Sequence, residues 1–265
     1  MKRNNLSSVA FARRARRTAF TLIELLVVIA VIALLVSVLL PSLQRVRRQA
    51  KAVGCQANLR QWGLIFKTYL DEYNGRFFDN WPKYHPWIDP MEPYWRDRHK
   101  MALCPMATKQ AQFWGDRNSA WSLGVFQAST SRYIHIRMSY GLNHWVGYPV
   151  DKLLRDQYWG TYDIKDAGNV PLFFDSIWIE ADPFDFVGPP ECEAEFGNPC
   201  DAMVINRHEG GVNMLFLDWS VRKVGLKEPW VLKWHRTYNT ANPWTRRGNV
   251  RPEDWPEWMR RFKDY

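Results

Sequence analysis

The sequence predicts an α+β chain in which one long N-terminal helix packs on an antiparallel β-sheet head. Two patterns carry this expectation. Apolar residues run on or recur at helical spacing from about residue 21 to residue 72, and three later stretches read as apolar strands bounded by turn residues. The length of 265 residues fits one medium domain, or a long element plus a domain, without requiring two globular units.

The helix comes first in the chain. From Phe20 to Leu40 only Thr21, Glu24 and Ser37 are polar, and a run of that length crosses a hydrocarbon core of roughly 30 Å. A secretory signal peptide would stop after an apolar core of about 7 to 15 residues and offer a small-x-small cleavage site. Here the run continues to Pro41, so a membrane anchor is the better reading. Residues 1–19 contain Lys2, Arg3, Arg13, Arg14, Arg16 and Arg17 and no acid, which keeps that end cytoplasmic, although Arg45, Arg47 and Arg48 blunt the asymmetry. Glu24 fits none of this. A carboxylate inside an apolar span costs about 2.5 to 3.5 kcal/mol at the helix centre and less near the end, so Glu24 should have a partner. Beyond Pro41, Leu43, Val46, Ala50, Val53 and Ala57 keep three-four spacing and Trp62, Phe66, Tyr69 and Tyr73 extend the stripe, as a core face against a sheet would. Asn74-Gly75 ends the helix near Glu72.

Strands are expected in "RYIHIRMSY" (132–140), in "VPLFFDSIWIE" (170–180) and in "VNMLFLDWSVRKV" (212–224), where a polar corner at Asp218 to Ser220 makes a hairpin. The tail from residue 227 to 265 holds Trp230, Trp234, Trp244, Trp255 and Trp258 among Pro and basic residues. It predicts two short helical pieces and a wrap that packs indoles on the head, or an aromatic contact surface for a neighbouring subunit or a glycan; packing or subunit contact is favoured over sugar binding.

Charge and composition exclude some functions. The net charge of +9 falls to +3 once residues 1–19 are set aside, which argues against nucleic acid as a partner. His208, Asp218, Asp175 and His235 are residue types of a metal or acid-base site, but no HExxH, Gly-x-Ser-x-Gly, Walker loop or paired CxxC accompanies them. For His208 and Asp218 the plainer reading is a hydrogen bond or turn cap that stabilises the hairpin, and the chain is expected not to be an enzyme. The acids of residues 184–201 lack EF-hand order, so a solvated loop is favoured there. Cys192 and Cys200 flank seven residues of that Pro/Gly-rich loop and read as a local disulfide in an oxidising compartment. Cys55 and Cys104 either bridge helix and head or stay free, with zinc the second choice for the four cysteines.

The string "AFTLIELLVVIAVIALL", preceded by arginines, resembles the class III leader junction of type IV pilins and of the pseudopilins of type II secretion systems. The resemblance implies a prepilin peptidase that cuts between Ala19 and Phe20 and methylates the new amine of Phe20. It implies that Glu24 pairs with the N-terminal amine of a neighbouring subunit during assembly, and that the helix kinks or locally melts at Pro41. Ala19 stands where the family has Gly, which implies slower or merely tolerant processing. "GCQANLRQWGL" (54–64), with Cys55 as a marker, resembles the segment after the helix in a planctomycete-type group of pseudopilin-like proteins, as do "ALCPMA" (102–107), "SYGLN" (139–143), "VPLFFDS" (170–176) and "RHEGGVNMLFLDWSVRKV" (207–224). The last resembles a C-terminal signature of His, nine residues and Asp-Gly, with His208 and Asp218 in place and Trp219 where a tight-turn Gly would sit.

Together these expectations describe a leader (1–19), a transmembrane and assembly half-helix (20–41), a second half-helix (42–73), a pilin-like head (74–226) and a Trp-rich extension (227–265). The implied partners are prepilin peptidase, inner-membrane lipid and other pilin or pseudopilin subunits, with a cytoplasmic N-terminus, a single span and a periplasmic head. No cofactor is expected, and calcium enters only because type II major pseudopilins bind it in a C-terminal loop. The competing class is a membrane-anchored surface protein whose head binds or hydrolyses carbohydrate.

Overall fold

A computed structural model describes residues 21–80, 87–95, 99–127, 132–149, 154–195, 197 and 200–265. The leader and the expected cleavage site at Ala19 and Phe20 lie outside the described residues. The chain divides into two compact units, Met1–Val46 and Arg47–Tyr265, and helix α1 (Leu22–Glu72) contributes to both.

In the first unit the described residues are helical from Leu22 onward. The helix is continuous through Pro41, so the expected local melting at that residue is not found. Proline there removes the bond to the Ser37 carbonyl and crowds that oxygen with its ring, but the turns on either side stay helical. At its far end α1 stops where Asn74 and Gly75 take left-handed backbone (φ 53° and 75°) and the Gly75 N–H reaches the Leu70 carbonyl at 2.7 Å. This is the six-to-one closure that Asn and Gly permit.

The second unit contains β1 (Asp79–Asn80), α2 (Ile88–Trp95), β2 (Lys109–Gln110), β3 (Ser119–Gln127), β4 (Arg132–Met138), β5 (Tyr140–Asn143), β6 (Tyr148–Pro149), β7 (Pro171–Asp175), β8 (Glu180–Ala181), β9 (Gly211–Phe216) and β10 (Val221–Gly225). The main sheet has the order β10-β9-β7-β5-β8. Its first four strands pair antiparallel, as expected of the head, and the short edge strand β8 joins parallel to β5, which makes the sheet mixed. A smaller sheet, β2-β3-β4, and a parallel pair, β1-β6, stand beside it. Parallel pairing at an edge needs a crossover or a short return, which residue alternation does not reveal.

The main sheet is buried on both faces, so β7 and β9 read as nearly continuous apolar runs. Phe173 and Leu215 point to one core, shared with Leu59, Trp62, Phe66 and Leu70 of α1. Phe174, Val212, Met214 and Phe216 point to the other, shared with Trp230, Trp234, Tyr238 and Trp255 of the tail. The order is helix, sheet, tail. Each large side chain buried in this way contributes about 1.5 to 3 kcal/mol. Two glycines let α1 approach closely: a Cβ at Gly63 would meet Leu215 Cδ1 at 3.2 Å, and one at Gly54 would meet Pro105 Cγ at 3.3 Å.

The tail forms short 3-10 turns at Glu228–Val231, Arg246–Gly248, Pro252–Asp254 and Glu257–Met259. Its indoles turn inward and donate to loop carbonyls: Trp230 to Val187 (3.0 Å), Trp234 to Pro229 (2.8 Å) and Trp258 to Pro190 (3.1 Å). Elsewhere Trp62 donates to Met101, Trp87 to Ile179 and Trp121 to Tyr140, at 3.0 to 3.2 Å. Such bonds satisfy the indole donors inside the core and give backbone carbonyls a partner.

The β9–β10 corner keeps its turn despite Trp219. The Trp219 N–H bonds the Phe216 carbonyl at 3.0 Å, Trp219 itself sits at φ 69°, and the Phe216 N–H bonds the Ser220 carbonyl at 2.9 Å. A tight turn followed by a left-handed residue is a common three-residue hairpin loop. Asp218 Oδ1 accepts from the Ser220 N–H at 2.9 Å, the local cap expected of it. Trp219 packs on Tyr162 with ring centroids 5.4 Å apart.

Candidate functional site

Two regions carry chemistry. The first is the start of α1. Leu22, Ile23, Leu25, Leu26, Val27 and the large apolar residues that follow to Leu40 are exposed, with no polar face on any side apart from Glu24 and Ser37. A helix that is apolar all round is solvated by lipid or by other helices, and residues 22–40 at 1.5 Å each are about 28 Å long. Glu24 has a local role that its position in an apolar run conceals. Its Oε2 accepts from the Thr21 N–H and from Thr21 Oγ1, both at 2.8 Å, and the Glu24 N–H returns to Thr21 Oγ1 at 3.3 Å. That is a capping box, written in the sequence as Thr-x-x-Glu.

Residues 14–40 match a family model described as "Prokaryotic N-terminal methylation motif". The N-terminal segment is type IV pilin-like. The methylation motif therefore takes in Arg14, Arg16 and Arg17 and the exposed apolar part of α1, and the apolar helix together with the motif fits a membrane anchor. No curated protein and no solved structure matches the chain. Beyond the motif, the second region is described by its geometry alone.

That region is buried at the junction of α1, the main sheet and the loops around them. Asp175, the last residue of β7, has its carboxylate 2.9 Å from His208 Nε2 and 3.3 Å from Arg207 Nη1, and it accepts the Asn213 N–H at 2.9 Å. Cys55 of α1 places Sγ at 3.4 and 3.5 Å from the two carboxylate oxygens and accepts from Tyr140 OH at 3.4 Å. Cys104 places Sγ 3.4 Å from His208 Nε2, and its N–H donates to Ser139 Oγ. None of Cys55, Cys104, Asp175 or His208 is more than 5% exposed.

The charges hold one another. Burial opposes charge on Asp175, yet the charge and hydrogen bond of His208, backed by Arg207 and the Asn213 N–H, hold its carboxyl far below the ordinary range. On His208 burial again opposes charge, and the Asp175 charge and hydrogen bond, helped by Cys104, raise it to about 9. Burial pushes the Cys55 thiol well up, with Cys104 and Asp175 adding to it. For Cys104 burial is outweighed by hydrogen bonds to Cys55 and His208 and by the Arg207 charge, which bring it down to about 7.

Arg207 was not expected in any role. Its guanidinium is fully enclosed and reaches the carbonyls of Asp116, Arg117, Ser119, Ser139 and Ser176 at 2.8 to 3.3 Å, tying the smaller sheet to the main one. Its position beside His208 in "RHEGG" was the only available signal, and nothing in the local pattern separates a buried Arg from a surface one.

Several expected groupings are not formed. His208 and Asp218 stand at opposite ends of β9: Asp218 caps the hairpin corner as expected, whereas His208 takes no part in the hairpin turn and pairs with Asp175. A strand of that length separates its ends by about 20 Å. His235 lies in the second core against Trp145, Phe184 and Tyr238, with Nδ1 3.1 Å from Thr237 Oγ1. Cys192 and Cys200 are both free: Cys192 is exposed with Sγ toward Glu195, whereas Cys200 is buried in the core, so the expected disulfide is absent. Cys55 and Cys104 are free as well, but share one site. Among the described residues no three donors of the acidic loop converge as a calcium site would require.

Proposed function

We propose that the chain is a non-enzymatic structural subunit of a type IV pilus-like or type II secretion pseudopilus filament. On this reading prepilin peptidase removes residues 1–19 and methylates Phe20, the apolar half of α1 waits in the inner membrane with the head on the periplasmic side, and other pilin or pseudopilin subunits then take the helix into a filament. The observation that carries the reading is the match of residues 14–40 to the methylation motif, together with an exposed stretch of α1 from Leu22 to Leu40 that is apolar but for Glu24 and Ser37. Such a surface needs lipid first and neighbouring helices afterwards. The buried Cys55, Cys104, Asp175 and His208 support the non-enzymatic part, because side chains enclosed this fully meet each other and not a substrate. The inward-facing Trp230, Trp234 and Trp255 favour packing over a glycan surface.

Mass spectrometry of the mature N-terminus tests the route. A chain that begins at methylated Phe20 is expected; an intact leader, or cleavage after Pro41, would refute it. Glu24→Ala tests the assembly step. Filaments that form unchanged would remove the inter-subunit role of the carboxylate and leave only its helix cap.

A further inference from the structure

Four donors from four separate segments converge beneath the helix: Cys55 from α1, Cys104 from the loop after the 3-10 turn His99–Ala102, Asp175 from the end of β7 and His208 from the turn before β9. Their ligand atoms all lie within 4.8 Å of one another, and every one of these residues is buried. We infer that this tetrad is a structural zinc site with two cysteines, one histidine and one aspartate as ligands, and that it clamps the second half of α1 to the sheet. The inference is independent of whether the chain enters a filament.

The donor chemistry selects the ion. Two thiolates, an imidazole and a carboxylate suit a borderline-soft divalent cation in tetrahedral geometry, and four protein donors leave no open position for water or substrate. Magnesium and calcium take oxygen donors and more of them. Bond lengths of about 2.0 to 2.3 Å place the donors of a tetrahedral zinc site roughly 3.3 to 3.8 Å apart. Two edges of the tetrad already have that length: Cys104 Sγ to His208 Nε2 at 3.4 Å, and Cys55 Sγ to the Asp175 carboxylate at 3.4 to 3.5 Å. A third, His208 Nε2 to Asp175 Oδ2 at 2.9 Å, is a hydrogen bond that opens by about half an ångström when both atoms turn to the ion, and the other edges of the tetrad lie within 4.8 Å.

The surroundings complete the case. Two thiolates and a carboxylate around a divalent ion leave one negative charge, and Arg207, 3.3 Å from Asp175 Oδ1, supplies the compensating positive one inside the protein. Arg207 and the Asn213 N–H hold the carboxylate from behind, and the Ser139 hydroxyl holds the Cys104 backbone, the outer support that fixes metal ligands. Binding balances by release of protons to solvent: one from each thiol and the one that His208 Nε2 shares with Asp175. The ligands lie far apart in sequence and include no CxxC pair, so a spacing search does not find the site.

The test uses the full chain, extracted in detergent with thiols kept reduced and no chelator. Elemental analysis is expected to give a single zinc ion per chain, retained through gel filtration, and Cys192→Ser is expected to retain it. Cys104→Ser should reduce the zinc to background. A serine variant that failed to fold would lose metal for a trivial reason, so the wild-type chain is also stripped and reloaded with cobalt. Tetrahedral ligand-field bands with a thiolate-to-cobalt charge-transfer band are expected. A cobalt spectrum without thiolate ligation would overturn the proposal, as would zinc at background in the wild-type chain. A Cys55–Cys104 disulfide in protein isolated with its thiols blocked would do the same.

Discussion

Arg207→Met removes the guanidinium while keeping most of the side-chain volume. The group it removes is fully buried, pairs with Asp175 at 3.3 Å and bonds five backbone carbonyls. Breaking one side of a buried ion pair costs about 3 to 5 kcal/mol, because the remaining carboxylate keeps its desolvation penalty and loses one of its two cationic partners, with His208 left to hold it. The orphaned carbonyls add to this. For a folded unit of this size each kcal/mol lowers Tm by about 2 to 4 °C, so a drop of roughly 6 to 20 °C is expected. The assay is thermal unfolding of the full chain in detergent, followed by near-ultraviolet circular dichroism, which its many buried indoles make sensitive. Arg222→Met is the control: Arg222 is 37% exposed and pairs with Glu228 at the surface, where such pairs contribute at most about 1 kcal/mol. If Arg207→Met lowered Tm by less than about 3 °C, or no more than Arg222→Met, the clamp assigned to Arg207 would be wrong.

Three further outcomes follow from packing and titration. Burial, with Lys233 nearby and only Asp185 opposing, lowers His235 to about 4, so between pH 6.5 and 4 the unfolded chain takes up a proton that the folded chain refuses. Stability should therefore fall with pH across that window by up to about 3 kcal/mol, and His235→Phe should flatten this limb of a denaturation-versus-pH curve. Trp62→Ala, at the centre of Trp87, Trp95, Phe66 and Phe173, is expected to cost about 3 to 5 kcal/mol by denaturant unfolding, and Trp62→Phe distinctly less. Trp219→Val places a β-branched residue at φ 69° and should be less stable than Trp219→Gly by about 1 to 2 kcal/mol; equal midpoints would mean that the corner relaxes out of the left-handed region.

The parts of this fold that periodicity governs were legible in the sequence. The helix ends at Glu72 because Asn74-Gly75 closes it, and β4, β7, β9 and β10 lie where apolar or aromatic runs meet turn residues, although the runs 132–140 and 170–180 each break in two, at Ser139 between β4 and β5 and at residues 176–179 between β7 and β8. Strand β3 was not expected: "SAWSLGVFQ" mixes Ser and Gly into the run and its antiparallel partner β4 decides it. The parallel edge strand β8 is two residues long and carries no alternation. The buried tetrad was visible only as residue types. Cys55 and Cys104 stood out by rarity and His208 and Asp175 by chemistry, but their meeting depends on α1, β7 and two loops closing on one point, which no local rule encodes. The partner of His208 was hidden for the same reason: Asp175 lies well before it in sequence order, at the end of β7, and only the closing of β7 against the turn before β9 brings the two together.

The indole-to-carbonyl bonds bear on how opening of the head would be observed. A protected backbone amide reports a closed backbone segment, whereas an indole N–H bonded to a carbonyl across the core reports whether that side chain is still seated. The slow protons to follow are the buried Nε1–H groups of Trp62, Trp87, Trp121 and Trp234, whose release requires an indole to leave the core. These side-chain protons time the opening of the core alongside the backbone amides of α1 and the main sheet.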